Sequence, residues 1–428
     1  MKKFILLILL CIVCPAVAQV GFINGRIDSL EFEITYVLNR VDIAQVNASD
    51  YWVVFWSDAT ADGRMGTFTC SSAGVLSNDM VDTWEFADAN TVGTIDAVPV
   101  AGSDFILFTW GNDAASRAYI STISISSANG NITESLTTLN ICNAALTDGK
   151  LLRLGETNNY VLSYQDDAHA SDYGKIKTFS VNPSTGAIAI LDSLEWFTFA
   201  AVSWDQDIIQ VGSGSYYLTG SELAVIESTA RTVLINAADG VIAATITDSL
   251  NLASRAGNLS LLQLGSTEYY ISIGQHTVNT DIQIYTYTVN STTGQISEVL
   301  DNWDSNIAGH VFKAFWLGED KIFIWGGGYS AKTASISSVD GTITKSFAYN
   351  VTCNPTMTLN EVERVSITDS IYVFLNAGRF TADNDGWLYT ASAKGVPESS
   401  GWSHKISGIS TPAYVNGIES FTSINGIE

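Results

Sequence analysis

The chain reads as an all-β protein, a ring of about seven four-stranded antiparallel sheets. Three observations predict this. An apolar strand recurs about every 53 residues, a turn glycine follows each strand about 25 residues later, and helical periodicity is nearly absent. Strands of that kind bounded by glycine turns at regular spacing are the signature of a β repeat array.

The N-terminal segment is set aside first. Lys2 and Lys3 are followed by an unbroken apolar run from Phe4 to Val13 and then by Ala16-Val17-Ala18. A basic start, a short apolar stretch and a small-x-small site form a secretory signal peptide of bacterial type. Residues 1–18 are therefore expected to be removed, leaving Gln19 as the mature start. The apolar run is too short to span a bilayer as a helix. Cys14 offers a lipidation site, against which the bulky Val13 before it speaks. No later segment has the length and apolarity of a membrane span. The mature chain is expected to be soluble and monomeric, secreted, periplasmic or at the cell surface.

The remaining length exceeds one ordinary core, so a repeat array is expected. The formal net charge is -24 and becomes -26 once Lys2 and Lys3 leave. Such a surface repels nucleic acid and anionic membranes. It serves solubility, or it attracts cations or a basic partner. Cys70, Cys142 and Cys353 remain after the signal is removed, which permits at most one internal disulfide and excludes a disulfide scaffold. No Cys or His pair has zinc-ligand spacing.

The recurring strand starts at Trp52, Phe105, Tyr160, Tyr216, Tyr269, Ile322 and Ile371. The intervals are 53, 55, 56, 53, 53 and 49 residues. Aromatic and β-branched residues dominate, as a half-buried pleated surface prefers. The recurring glycines are Gly74, Gly130, Gly186, Gly240, Gly294, Gly341 and Gly395, several in Asn-Gly or Asp-Gly pairs that suit two-residue hairpin turns. Each unit then offers four strands, A to D. In the fifth these are expected at Leu261–Leu264, Tyr269–Ile273, Gln283–Val289 and Gln295–Leu300.

Four antiparallel strands cannot bury both faces alone, whereas a closed ring of such sheets can: a β-propeller. The segment Arg26-Ile27-Asp28-Ser29-Leu30-Glu31-Phe32 matches the D-type Leu191-Asp192-Ser193-Leu194-Glu195-Trp196 but has no A or B strand before it. It is expected to complete the last blade and close the ring. The propeller spans 19–395, with 396–428 as last strands or a short appendage. Seven blades are favoured. Eight remain open if Thr411 to Glu428 supplies the A and B strands of another blade.

The hairpins Phe179-Ser180-Val181-Asn182-Pro183-Ser184-Thr185-Gly186-Ala187-Ile188 and Tyr287-Thr288-Val289-Asn290-Ser291-Thr292-Thr293-Gly294-Gln295-Ile296 resemble the C–D hairpins of seven-bladed lactonase-like, YVTN-type propellers. The resemblance implies the ring fold and, for an enzyme, chemistry on charged residues and histidines around the central channel. A fainter likeness is to integrin-type propellers. It implies calcium on Asp-rich loops, with Asp383 and Asp385 of Asp383-Asn384-Asp385-Gly386 as the candidate metal ligands. A fainter one still links the segment after Gly395 to short β-modules that end some phage-tail and secreted repeat proteins.

In a propeller the B–C and D–A connections gather on one face, where loops vary on a fixed scaffold. The residues expected there are Asp58, Asp62, Asp113, Asp166, Asp167, Asp172, Glu222, Asp281 and Arg379, with Glu227 and the metal candidates beside them. Their carboxylates would make a concentrated negative field. His169, flanked by Asp166, Asp167 and Asp172, is the candidate acid–base residue, with His276 on a corresponding loop. His310 and His404 receive no role. Trp52, Trp56, Trp110, Trp316 and Trp325 fall on strands and read as core, Trp196 and Trp303 read as D-strand ends, and Trp387 and Trp402 are candidates for stacking on sugar. No nucleophile elbow, phosphate-binding loop or His-x-x-x-His pair is present, so an enzyme is disfavoured. The leading reading is a module that binds a protein or carbohydrate on the B–C loop face. A lactonase-like or metal-assisted hydrolase and a structural surface component are the alternatives.

Overall fold

The structure is a computed structural model that describes residues 23–33, 38–58, 62–87, 92–112, 117–143, 146–166, 173–198, 207–223, 227–252, 256–276, 281–308, 311–326, 330–352, 357–368, 371–380 and 385–394. Every regular element among them is a strand, and no helix there is long and apolar enough to cross a membrane. Strand β1 (Ile23–Glu33) comes first. Blade 1 holds β2 (Leu38–Gln45), β3 (Tyr51–Asp58), β4 (Gly63–Thr69) and β5 (Asp82–Ala87), and blade 2 holds β6 (Val92–Pro99), β7 (Phe105–Asn112), β8 (Arg117–Ile125) and β9 (Ile132–Cys142). Blade 3 is β10 (Leu146–Arg153), β11 (Asn159–Asp166), β12 (Tyr173–Val181) and β13 (Ile188–Thr198), and blade 4 is β14 (Asp207–Gln210), β15 (Tyr216–Leu223), β16 (Glu227–Leu234) and β17 (Asp248–Leu252). Blade 5 is β18 (Ala256–Gln263), β19 (Tyr269–His276), β20 (Asp281–Thr288) and β21 (Asp301–Ala308), and blade 6 is β22 (Val311–Gly318), β23 (Lys321–Gly326), β24 (Ser330–Ile336) and β25 (Ile343–Thr352). Blade 7 holds β26 (Met357–Thr368), β27 (Ile371–Phe380) and β28 (Gly386–Lys394), and β1 pairs with β28 as its fourth, outermost strand.

All seven predicted anchor strands are second strands of blades. The innermost strands touch in sequence from β2 to β26, and β26 touches β2 again. The ring is therefore closed at seven, with no slot for an eighth blade. The segment 396–428 lies outside the described residues.

Each junction between blades buries its own apolar cluster. Phe55, Phe108 and Trp110 lie between blades 1 and 2, and Phe323 stacks on Phe374 between blades 6 and 7 with centroids 4.3 Å apart. Trp52, Trp56, Trp110 and Trp325 are core, as expected, and Trp316 is half-buried. Trp303 differs from expectation. It is the third residue of β21 and is buried against Phe347. Trp387 packs half-buried beside the core between blades 6 and 7, which removes it as an exposed stacking platform. Trp402 lies outside the described residues.

Two local expectations are corrected. The glycine turns are longer than two residues: in blade 2 the Ser126 N–H donates to the Asn131 carbonyl, enclosing four residues, and the Gly130 N–H closes back on the Ser126 carbonyl. The D strand of blade 5 begins at Asp301, not Gln295, because after a lone Val289–Ile296 bridge the chain runs outside the sheet. Blades 1 and 4 make the same detour, with bridges at Cys70–Leu76 and Ile235–Ile242.

The detour ends where an aspartate can staple the next blade. Asp28, Asp82, Asp192, Asp248 and Asp301 each accept the N–H of their own following residue on Oδ1, at 2.8 to 2.9 Å. On Oδ2 they accept the N–H of Leu76, Ile132, Ile242, Ile296 and Ile343 in the C–D turn of the next blade, again at 2.8 to 2.9 Å. One strand inward, Thr67, Thr122, Thr178, Thr232 and Thr390 donate to the carbonyls of Gly130, Gly186, Gly240, Gly294 and Gly74. Asp28 and Thr390 make both bonds across the ring closure, from blade 7 to blade 1. Gly240 shows why the turn needs glycine. Its φ is +74°, and a Cβ there would lie 2.4 Å from the Leu191 side chain of blade 3.

Candidate functional site

The innermost strands place one polar residue per blade at one level of the axis: Asp42, Asp96, Lys150, Asp207, Ser260, Lys313 and Glu361. Their partners on the second strands are Phe55, Thr109, Ser163, Gly220, Ile273, Trp325 and Ala377. Each is followed by an apolar residue that enters an inter-blade core, so the polar group is carried inward by the same strand that is anchored outward.

Their hydrogen bonds run around the axis. Asp42 accepts the Ala97 N–H of blade 2, Asp96 the Leu151 N–H of blade 3 at 2.5 Å, Asp207 the Leu261 N–H of blade 5 at 2.7 Å, and Ser260 the Ala314 N–H of blade 6 at 3.3 Å. Lysine cannot accept. After Lys150, Asp207 therefore satisfies its own neighbour, the Ile208 N–H, at 2.8 Å. The lysines join the sides of the ring. Lys150 Nζ lies 2.6 Å from Asp96 and 4.0 Å from Glu361, so it links blades 2, 3 and 7. Lys313 Nζ lies 3.2 Å from Glu361 and pairs with Glu363 as well.

The titration of these groups follows from burial and pairing. Burial, then the Asp96 carboxylate, pushes the Asp42 carboxyl well above its ordinary value. Burial raises Asp96 too, against the pull of Lys150, and raises Asp207 against Lys150 and the Leu261 N–H. Burial also pushes Glu361 up, but Lys150 and Lys313 together outweigh it and hold that carboxyl below its ordinary value. Burial would lower Lys150, and Asp96 and Glu361 overcome it, so its ammonium is held well above the ordinary range. The axis is thus a mixed ion-pair network that satisfies itself. A polar residue immediately followed by an apolar one in the first strand of each blade was the available sequence signal.

The expected loop-face residues fall into three groups. Asp62 is paired with Arg64 at 3.2 Å, and Arg64 also reaches Glu85 at 2.9 Å. Asp281 is buried at the start of β20, and Asp385 is half-buried before β28. Arg379 donates to the Leu38 carbonyl at 3.2 Å, tying blade 7 to blade 1. The backbones of Asp58, Asp166, Glu222 and His276 lie at the loop-face ends of β3, β11, β15 and β19, and Glu227 opens β16. Asp113, Asp167, His169, Asp172 and Asp383 lie outside the described residues, as do His310 and His404. Among the described residues no three His, Cys, Asp or Glu side chains are grouped to hold a metal ion. Cys70 is a free thiol, and burial pushes it up to about 12, which makes it a poor nucleophile. Cys353 lies outside the described residues.

Ring, blades and closure define this protein as a seven-bladed β-propeller. No family model matches the chain, and no curated protein matches it in sequence. Among solved structures it is similar to Sqt1 from Chaetomium thermophilum, at 11% identity over 86% of this chain and 98% of that one, with a TM-score of 0.52. A protein of unknown function from Dyadobacter fermentans DSM 18053 matches at 6% identity over the same shares, with a TM-score of 0.47. Likeness at this identity is likeness of fold alone.

Proposed function

We propose that the chain is an exported binding module that holds a protein or glycan on the face where the B–C connections emerge. One observation carries the reading: the turns of the opposite face repeat, and the B–C connections do not. On the repeating face Ser49, Ser103, Thr157 and Thr267 each turn a hydroxyl back to the carbonyl three residues earlier, and the C–D turns of blades 1 to 6 each present a glycine to the preceding blade. Those turns are committed to building the ring. In sequence the B–C connections differ from blade to blade, and they carry most of the expected acidic residues. Variation on a fixed scaffold is where recognition is placed. Export rests on the N-terminal leader. The test replaces the B–C connections together by short polar turns and measures retention on arrays of glycans and surface proteins. The reading requires that binding disappear, and unchanged retention would refute it.

A further inference from the structure

On the opposite face a groove of about 440 Å³ lies between the A–B turns of blades 4 and 5, lined by Gly212, Ser213, Gln263, Gly265, Thr267, Glu268 and Tyr270 among others. Its volume falls within the roughly 300–1,000 Å³ of small-ligand sites. The blade 4 turn departs from its relatives there. Gly214 stands where blades 1, 2, 3 and 5 carry Ser49, Ser103, Thr157 and Thr267. Without a side chain the turn settles onto the blade 5 hairpin, where a Cβ on Gly214 would lie 2.7 Å from the Ser291 carbonyl oxygen.

The polar groups around the groove are partly used and partly open. Tyr270 is fully buried, and its oxygen accepts the Gly212 N–H at 2.9 Å. Its own O–H proton has no acceptor among the described residues and borders the groove. Gln263 donates its Nε2 to the Thr267 carbonyl at 2.6 Å, which leaves its Oε1 as an acceptor. Glu268 Oε1 receives the Ser291 N–H at 3.4 Å, so its other oxygen is an acceptor as well. Ser213 and Ser266 add exposed hydroxyls.

We propose that this groove binds a neutral polyhydroxylated ligand, a monosaccharide or the end residue of a glycan. One fixed donor, two acceptors and two adaptable hydroxyls match the alternating donors and acceptors that a sugar's hydroxyls present. A single carboxylate among mostly neutral groups suits hydroxyls better than a polyanion. The site lies on the other face from the B–C connections and stands or falls without them.

The test uses the mature chain and saturation-transfer NMR with glucose, galactose, mannose and N-acetylglucosamine, and with a diamine as a cationic control. At least one sugar should receive saturation. Ser266→Trp, an exposed substitution that fills the groove, should weaken that binding at least tenfold, and Tyr270→Phe should weaken it with the thermal midpoint monitored in parallel. Replacing the B–C connections should leave it intact. No transfer to any sugar, transfer that survives Ser266→Trp, or preference for the diamine would overturn the proposal.

Discussion

The two faces of this ring are built on different terms. On the A–B and C–D face the same few residues solve the same problem in blade after blade, closing their own turns and bonding the neighbouring blade. On the B–C face the strands end in sequences that do not repeat. The lesson is that internal repetition within one chain separates scaffold from variable surface. Blade 4 marks one place where the repeating face itself departs from its pattern, and a groove opens there.

The comparison can be broken by substitutions, and the largest effect is expected at the axis. Lys150→Met leaves Asp96 and Glu361 without their shared ammonium, and a buried charge deprived of its partner costs about 3–5 kcal/mol. Chemical denaturation should show that loss while ligand retention by the folded fraction stays unchanged. Next comes Gly240→Val, which combines a left-handed backbone with a side chain driven into Leu191, roughly 2–4 kcal/mol together. In a Leu191→Ala background the steric part should be relieved, and an undiminished cost of Gly240→Val there would remove it from the explanation. Asp192→Ala orphans the Ile242 N–H at the junction of blades 3 and 4 and should cost about 1–3 kcal/mol.

The smallest effect has the opposite sign. Asp42 has its proton affinity raised on folding, so its contribution to stability falls as pH rises through its folded value. Glu361 is depressed, so its contribution is present above the unfolded value and falls as pH drops through the folded one. Asp42→Asn keeps an acceptor for the Ala97 N–H and removes the buried charge. It should raise the denaturation midpoint in alkaline buffer and leave it unchanged at acid pH. A gain confined to acid pH would reverse the assignment.

The sequence made the ring legible and left its centre hidden. Strands from Trp52 to Ile371 and glycines from Gly74 to Gly341 announced the blades because burial and positive φ each demand a narrow set of residues. Closure was readable because Asp28-Ser29-Leu30 copies Asp192-Ser193-Leu194, and the copied aspartate makes the staple. The D-strand start in blade 5 was misplaced because Ile296 looks like a strand residue yet makes only one bridge, while the sheet resumes at the stapling Asp301. A threonine at 67, 122, 178, 232, 286, 333 and 390 was a third anchor, hidden in a chain rich in threonine. The axial ring escaped notice because Asp, Lys, Ser and Glu share no residue type there, only a level. Arg379 showed its charge in the sequence but not its bond to the Leu38 carbonyl, which depends on the meeting of the first and last blades.

The division between faces is tested most directly by a paired measurement of thermal midpoint and array retention in two variants. One replaces residues 167–172 by a short polar turn, and the other is Asp192→Ala in the same blade. The account predicts that the first weakens retention with an unmoved midpoint and that the second lowers the midpoint with retention unmoved. If Asp192→Ala abolishes retention while the chain is still folded, or the loop replacement leaves retention whole, the assignment of scaffold and recognition to opposite faces is contradicted.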